Sequence, residues 1–234
     1  MLVDERYLVI ELLRALKKYL TYSELEEYLG IPGPGIWRYV NAKIIPTTEK
    51  AREILSKIIE HKLTSKIIKN KLRIVEGGIL NTYNIIYDPS ILKLLGYEAY
   101  TFFKDHNPSL VMSIEVDGIP LALSIAEYFD AKVLIVKKRR EAGFKEYIEY
   151  AMVSRDLPVI TTLYAPKELI SKDDRVLIVD DLLRTGRTCK ALIEIAKQAK
   201  TEVVGVFAAI AVGYEWTKLI KDTRIHIVHY VEGY

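Results

Sequence analysis

Two adjacent acids, Asp180 and Asp181, follow the apolar run Val176-Leu177-Ile178-Val179, and behind them comes Leu182-Leu183-Arg184-Thr185-Gly186-Arg187-Thr188. The apolar run predicts a central strand with the carboxylates at its carboxyl end, where open sheets bind ligands. Residues 184–188 supply a glycine, two threonine hydroxyls and several backbone N–H groups, and they open directly into the helical pattern TCKALIEIAKQA. A loop of that kind at a helix N-terminus is an anion cradle, and phosphate is its common guest. Carboxylates beside the cradle repel phosphate; they suit sugar hydroxyls, or a magnesium ion held between them and the ligand. Phosphate at one end and a diol at the other describes a ribose 5-phosphate. The competing explanation, a strand-turn-helix with no ligand, leaves two neighbouring acids with nothing to offset their cost.

The elements that must position these residues alternate between strand and helix. SLVMSIE (109–115) predicts a buried strand, followed by a glycine-containing turn and the helix PLALSIAEYF. KVLIVKK (132–138), RVLIVDD (175–181), EVVGVFAAIAV and RIHIVHY predict further strands. Such alternation is the mark of a mostly parallel sheet with flanking helices, an α/β class. No GxxxxGK[ST] or GxGxxG occurs, which argues against a P-loop or a dinucleotide site. His226 and His229, three apart on a strand, face opposite sides and do not make a paired metal site.

The first third is different: its apolar residues recur at helical spacing. Leu8, Leu12, Leu13, Leu16 and Leu20 mark one amphipathic helix. Ser23, with Glu26 three residues on, predicts the cap of a second helix that stops at Gly30. Pro32-Gly33-Pro34-Gly35 is expected to turn the chain into a short third helix over 36–41, and Thr47 or Thr48 to cap a fourth. Residues from Thr64 to about Arg73 continue as a basic helix or linker. Glu76-Gly77-Gly78 is the clearest break, which predicts an all-α helix-turn-helix domain over 1–74 and an α/β domain over 75–234. At 234 residues the chain has room for both.

Charge divides along the same line. The net charge is +3, yet residues 1–72 hold 13 Lys/Arg against 9 Asp/Glu, and 33–72 alone hold 9 against 3. The positive excess therefore sits where a polyanion could use it. A solvated helical face is the plain alternative. Apolar runs reach about half a dozen residues, far short of the ~20 that span a bilayer, and the start does not read as a signal peptide. One cysteine, Cys189, cannot form an internal disulfide. A cytosolic chain is expected.

The stretch YSELEEYLGIPGPGIWRYVNAKIIPTTEKAREIL resembles the lambda-repressor-like DNA-binding family. By that resemblance Arg38, Tyr39, Asn41 and Lys43 lie on or just beyond a recognition helix, and Lys50 and Arg52 lie near the phosphates of double-stranded DNA. Ala42 stands where that family usually has glycine. The alternative is a helical cap that only packs or dimerises, with Trp37 and Tyr39 in its core.

The stretch around Asp180 resembles the phosphoribosyl pyrophosphate (PRPP) signature of type I phosphoribosyltransferases, over about Ser109 to Val212. The resemblance implies that Asp180 and Asp181 hold the ribose hydroxyls, directly or through water and Mg²⁺. It implies that Leu182, Leu183, Arg184, Thr185, Gly186, Arg187 and Thr188 form the PRPP loop, the last five wrapping the 5′-phosphate. Asp117 and Gly118, in the turn after the first strand, and Lys137 and Lys138 are matched to pyrophosphate contacts. Residues 139–150 are matched to a mobile cover loop, and Tyr214 and Trp216 are candidates to stack on a purine. The framework also looks like the purine-operon repressors of Gram-positive bacteria, which implies a dimeric regulator responding to PRPP or a purine nucleotide. Arg184 stands where 6-oxopurine transferases carry a proton-accepting Asp, and an arginine stays protonated. Adenine phosphoribosyltransferases manage without that Asp, so a transferase remains the alternative.

Overall fold

Caps fix where the amino-terminal helices begin and end, and buried apolar faces hold those helices together. The computed structural model describes residues 4–75, 79–153 and 160–233, which form two units, 1–98 and 99–234. In the first unit, α1 (Glu5–Lys17) is capped by Asp4, whose carboxylate accepts from the Arg6 N–H at 3.0 Å. α2 (Tyr22–Leu29) starts two residues before the position expected from Ser23. Its capping box is Thr21 with Glu24: Thr21 Oγ1 accepts from the Glu24 N–H at 3.2 Å, and Glu24 Oε2 accepts from the Thr21 N–H at 2.7 Å. Glu26, the expected partner of Ser23, instead accepts from the Gly33 N–H at 2.8 Å and ties the next turn to α2.

α3 (Gly33–Val40) takes in most of the stretch expected as a turn, because Pro34 sits in the first helical turn, where a missing N–H costs nothing. Cations close the two helix ends. Lys57 Nζ donates to the Leu29 carbonyl at 2.7 Å and Arg14 Nε to that of Val40 at 2.8 Å. α4 (Thr48–Glu60), capped by Thr47, and α5 (Leu63–Lys71) complete the helical set. Leu12, Leu16, Leu25, Leu29, Ile36 and Ile54 are fully buried in it. Beyond lie a short antiparallel pair, β1 (Arg73–Val75) with β2 (Ile79–Asn81), then α6 (Tyr83–Ile86) and α7 (Pro89–Phe103), none of which was expected. The predicted break at 76–78 lies outside the described residues.

The second unit holds a five-stranded parallel sheet: β3 (Leu110–Ile114), β4 (Lys132–Val136), β7 (Arg175–Leu183), β8 (Glu202–Val212) and β9 (Ile225–Val231), in the order β4-β3-β7-β8-β9. α8 (Gly118–Phe129) joins β3 to β4, and α9 (Arg187–Gln198) joins β7 to β8. Buried Val176, Ile178, Val206 and Ala208 on the strands pack with Cys189, Leu192 and Ile195 of α9. An antiparallel pair, β5 (Tyr147–Val153) with β6 (Ile160–Pro166), forms its own ladder and is tied to the end of β4, where Lys137 and Tyr164 exchange backbone hydrogen bonds of 3.1 and 2.7 Å. The stretch 139–150 is therefore not one loop: Tyr147 already opens β5. Among the described residues no helix is long and apolar enough to cross a membrane.

Candidate functional site

The chain leaves β3 toward one edge of the sheet and β7 toward the other, so neighbouring parallel strands part at their carboxyl ends. That is the switch point at which open α/β sheets form a crevice. The β3–β7 ladder stops at Met112 opposite Ile178. Beyond it the buried Ser113 hydroxyl donates to the Val179 carbonyl at 2.7 Å, holding the strands at the mouth of the crevice. On the β3 side, α8 begins against that hydroxyl: a Cβ on Gly118 would lie 2.2 Å from Ser113 Oγ. The turn before it is knitted to β4, with Glu115 N donating to the Val136 carbonyl at 3.1 Å and Lys138 N to Glu115 Oε1 at 2.7 Å. The Glu115–Val116 peptide is cis. Asp117 and Lys138 are exposed, and the Lys137 ammonium pairs with Glu141.

The two acids do not end the strand. β7 runs on to Leu183, so Asp180 and Asp181 lie within it and alternate across its faces. Asp180 is only 6% exposed and meets α9, accepting from the Cys189 thiol at 3.4 Å. Burial, then the neighbouring Asp181 charge, pushes its carboxyl up to about 7. Asp181 is pushed up by burial and then by the Asp117 charge across the crevice, with the backbone N–H groups of Asp181 and Leu182 opposing. Burial and the Asp180 charge likewise raise the Cys189 thiol. Two adjacent carboxyls both pushed up by burial and a neighbouring charge are a mark of a binding or catalytic site.

The connection after β7 is three residues long, Arg184 to Gly186, and Arg187 and Thr188 already belong to the first turn of α9, whose N–H groups have no acceptor within the helix. Gly186 has φ +75°, and a Cβ there would lie 3.0 Å from Trp216 Cα. Trp216 is itself anchored, its Nε1 donating to the Gly213 carbonyl at 2.9 Å. The Trp216 backbone and Cβ thus back the loop, while Tyr214 lies 69% exposed with its ring 5.0 Å from that of Tyr230. Arg184 is exposed.

The family model described as "Phosphoribosyl transferase domain" matches residues 83–228. The chain belongs to that family. Among its relatives is a xanthine phosphoribosyltransferase of Oceanobacillus iheyensis, 30% identical over 69% of this chain and 88% of the relative. A purine biosynthesis transcriptional repressor of Bacillus subtilis is 28% identical over 59% of this chain and 49% of the repressor. An adenine phosphoribosyltransferase structure from Rhodothermus marinus superposes with a TM-score of 0.64 at 23% identity, over 72% of this chain and 98% of that one. It shows the fold.

Within this phosphoribosyl transferase family chain, the described residues hold no cluster of three or more His, Cys, Asp or Glu arranged to take a metal. Asp181 is a hard oxygen donor that by itself cages no ion; it fits a Mg²⁺ that keeps waters and shares a ligand's own oxygens, whereas Asp180 lies on the other face of β7, buried against α9.

The basic residues of the first unit are arranged otherwise. Arg38, Asn41 and Lys43 are exposed and Tyr39 is half-buried. Asn41 Nδ2 donates to the Trp37 carbonyl at 2.9 Å, Lys50 pairs with Glu53 at 2.7 Å, and Arg52 pairs with Glu5 at 2.7 Å. Trp37, expected as a core candidate, is 46% exposed, whereas Ile36 is the buried residue of α3. Pro34, Trp37, Arg38 and Asn41 fall on one outward stripe at i, i+3, i+4 and i+7. That spacing was the signal for Trp37.

Proposed function

We propose that this chain is a DNA-binding regulator of purine metabolism: residues 75–234 sense PRPP or a purine nucleotide, and residues 1–74 contact double-stranded DNA. The observation that carries the reading is the union, in one chain, of the crevice at β3 and β7 with a helix-turn-helix whose α3 turns Trp37, Arg38 and Asn41 outward. The similarity to the Bacillus subtilis repressor supports it.

In the crevice, the backbone of Arg184 to Thr188 and the start of α9 receive the 5′-phosphate. Asp181 faces the ribose hydroxyls, and Asp180 supports it from the opposite face of the strand. The turn at Asp117 and Gly118, with Lys137 and Lys138, lies toward pyrophosphate, and Tyr214 offers its ring to a base. Mg²⁺ would neutralise pyrophosphate charge beside the acids. In a dimer, two α3 helices would meet half-sites about one helical turn apart. A ligand that prefers one dimer arrangement shifts the balance between them, and so shifts DNA affinity.

A second reading has its own support. The xanthine phosphoribosyltransferase similarity covers most of that relative, and it favours a transferase that joins a purine to the ribose C1 of PRPP and releases pyrophosphate. Arg184 offers no proton acceptor, so such a reaction would proceed by positioning and electrostatics. Labelled PRPP with adenine, guanine, xanthine, hypoxanthine, orotate and uracil separates the two. Nucleotide formed from any base establishes the transferase. Salt-dependent DNA retention that shifts with PRPP, without turnover, establishes the sensor.

A further inference from the structure

The first unit contains a cleft of about 400 Å³ that shares no residue with the crevice; Lys71, Arg73, Tyr83, Asn84, Tyr87 and Asp88 line it. That volume lies within the roughly 300–1,000 Å³ of small-molecule sites. One wall carries two cations, Lys71 at the end of α5 and Arg73 at the start of β1, and neither enters an ion pair with another described residue. The Lys71 ammonium lies 5.1 Å from the centroid of the Tyr19 ring. Asp88, whose Oδ1 accepts from the Ser90 N–H at 3.0 Å, offsets one of the two cations, so the lining keeps a net positive charge. The other wall carries two tyrosines one turn apart, Tyr83 and Tyr87, with ring centroids 4.6 Å apart. They are 65% and 40% exposed, a large aromatic surface left to solvent. The Asn84 side chain adds an amide able to both donate and accept.

We infer that this cleft is a second ligand site, for a nucleoside monophosphate: Lys71 and Arg73 take the phosphate, and the Tyr83–Tyr87 pair takes the base. Two cations against one carboxylate leave a positive excess that suits a phosphate, and arginine binds it through two parallel hydrogen bonds. Tyrosine faces stack any base, and the Asn84 amide can read a base edge. Occupation would clamp the end of α5 to α6, so the ligand reports to the helical unit without passing through the crevice.

Calorimetric titration of AMP and of GMP into the full chain carrying Asp180→Asn and Asp181→Asn isolates this site from the crevice. Binding is expected to persist there. Adding Lys71→Gln with Arg73→Gln should weaken it at least ten-fold, and adding Tyr83→Leu several-fold. A chain with intact Asp180 and Asp181 gives an independent readout, in which saturating nucleotide should protect Tyr83 and Tyr87 from nitration, located by mass spectrometry. No binding to the crevice variant together with unprotected tyrosines would overturn the site, as would binding indifferent to Lys71 and Arg73. Inorganic phosphate displacing nucleotide at equal concentration would overturn the role of the tyrosines. None of these outcomes touches PRPP binding, which is read with PRPP on the unsubstituted chain.

Discussion

The crevice between β3 and β7 and the outward stripe of α3 are built on opposite terms. In the crevice, Asp180 is buried, Gly186 has a positive φ, and Gly118 touches Ser113 too closely to carry any side chain. On α3, Trp37, Arg38 and Asn41 stand exposed, and the backbone is regular helix. On the proposed function, a site for one small anionic sugar is worth such cost because shape and desolvation define its ligand. A surface proposed for a polyanion needs reach and charge, which burial would remove. On that proposal the two regions are expected to answer to different variables, pH and shape for one, salt for the other.

The largest effect expected is on pH. Folded Asp180 keeps its proton to about 7, whereas an ordinary aspartate loses it near 3.8. Between those values the folded state binds more protons at Asp180, so the stability contributed by this carboxyl is fully present below the window and is lost as pH rises through it. The loss is on the order of a few kcal/mol. Thermal melting from pH 4 to 8 checks this, and Asp180→Asn should flatten the profile; a profile unchanged by that substitution would remove Asp180 as its cause. Arg38→Ala should leave the same profile intact, which sharpens the contrast.

Next in size is Gly186→Ala. A left-handed alanine costs about 1–2 kcal/mol, and the contact with Trp216 adds to it, so melting should fall by roughly 4–8 °C with PRPP affinity reduced at least ten-fold. An alanine variant with wild-type melting and affinity would show that the loop has no need of this geometry. Smallest is Arg38→Ala with Lys43→Ala. DNA affinity should drop about ten-fold and the slope of log K against log salt become shallower by about 2, with PRPP binding unaltered. Equal affinity in a filter-binding salt series would take both residues out of the interface.

Much of the second unit was legible because its five parallel strands are apolar runs, as RVLIVDD and EVVGVFAAIAV show, and those runs became β7 and β8 within two residues. β5 and β6 were not, since YIEYAMV and ITTLYAP mix polar residues with aromatic and apolar ones and pair with each other outside the parallel sheet. At the start of α2, Thr21-Glu24 and Ser23-Glu26 offer the same capping spacing, and only the backbone at Thr21, with φ −72° and ψ 165°, chooses between them. For the crevice, the residue types and the loop could be read along the chain. That β3 lies beside β7, bringing Asp117 toward Asp181, is a matter of sheet order, which local sequence does not encode. The separation of Asp180 and Asp181 onto two faces follows from the strand running on to Leu183, a length set by its pairing with Ile210 and Ala211 of β8.

One titration bears most directly on the whole account: PRPP with excess Mg²⁺ into the full chain, followed by heat, and repeated with Asp180→Asn and Asp181→Asn together. Saturable binding in the first case, weakened by about 100-fold or more in the second, is the predicted result. An unsubstituted chain that takes up no PRPP, or a double variant that binds it equally well, would contradict the assignment of the crevice.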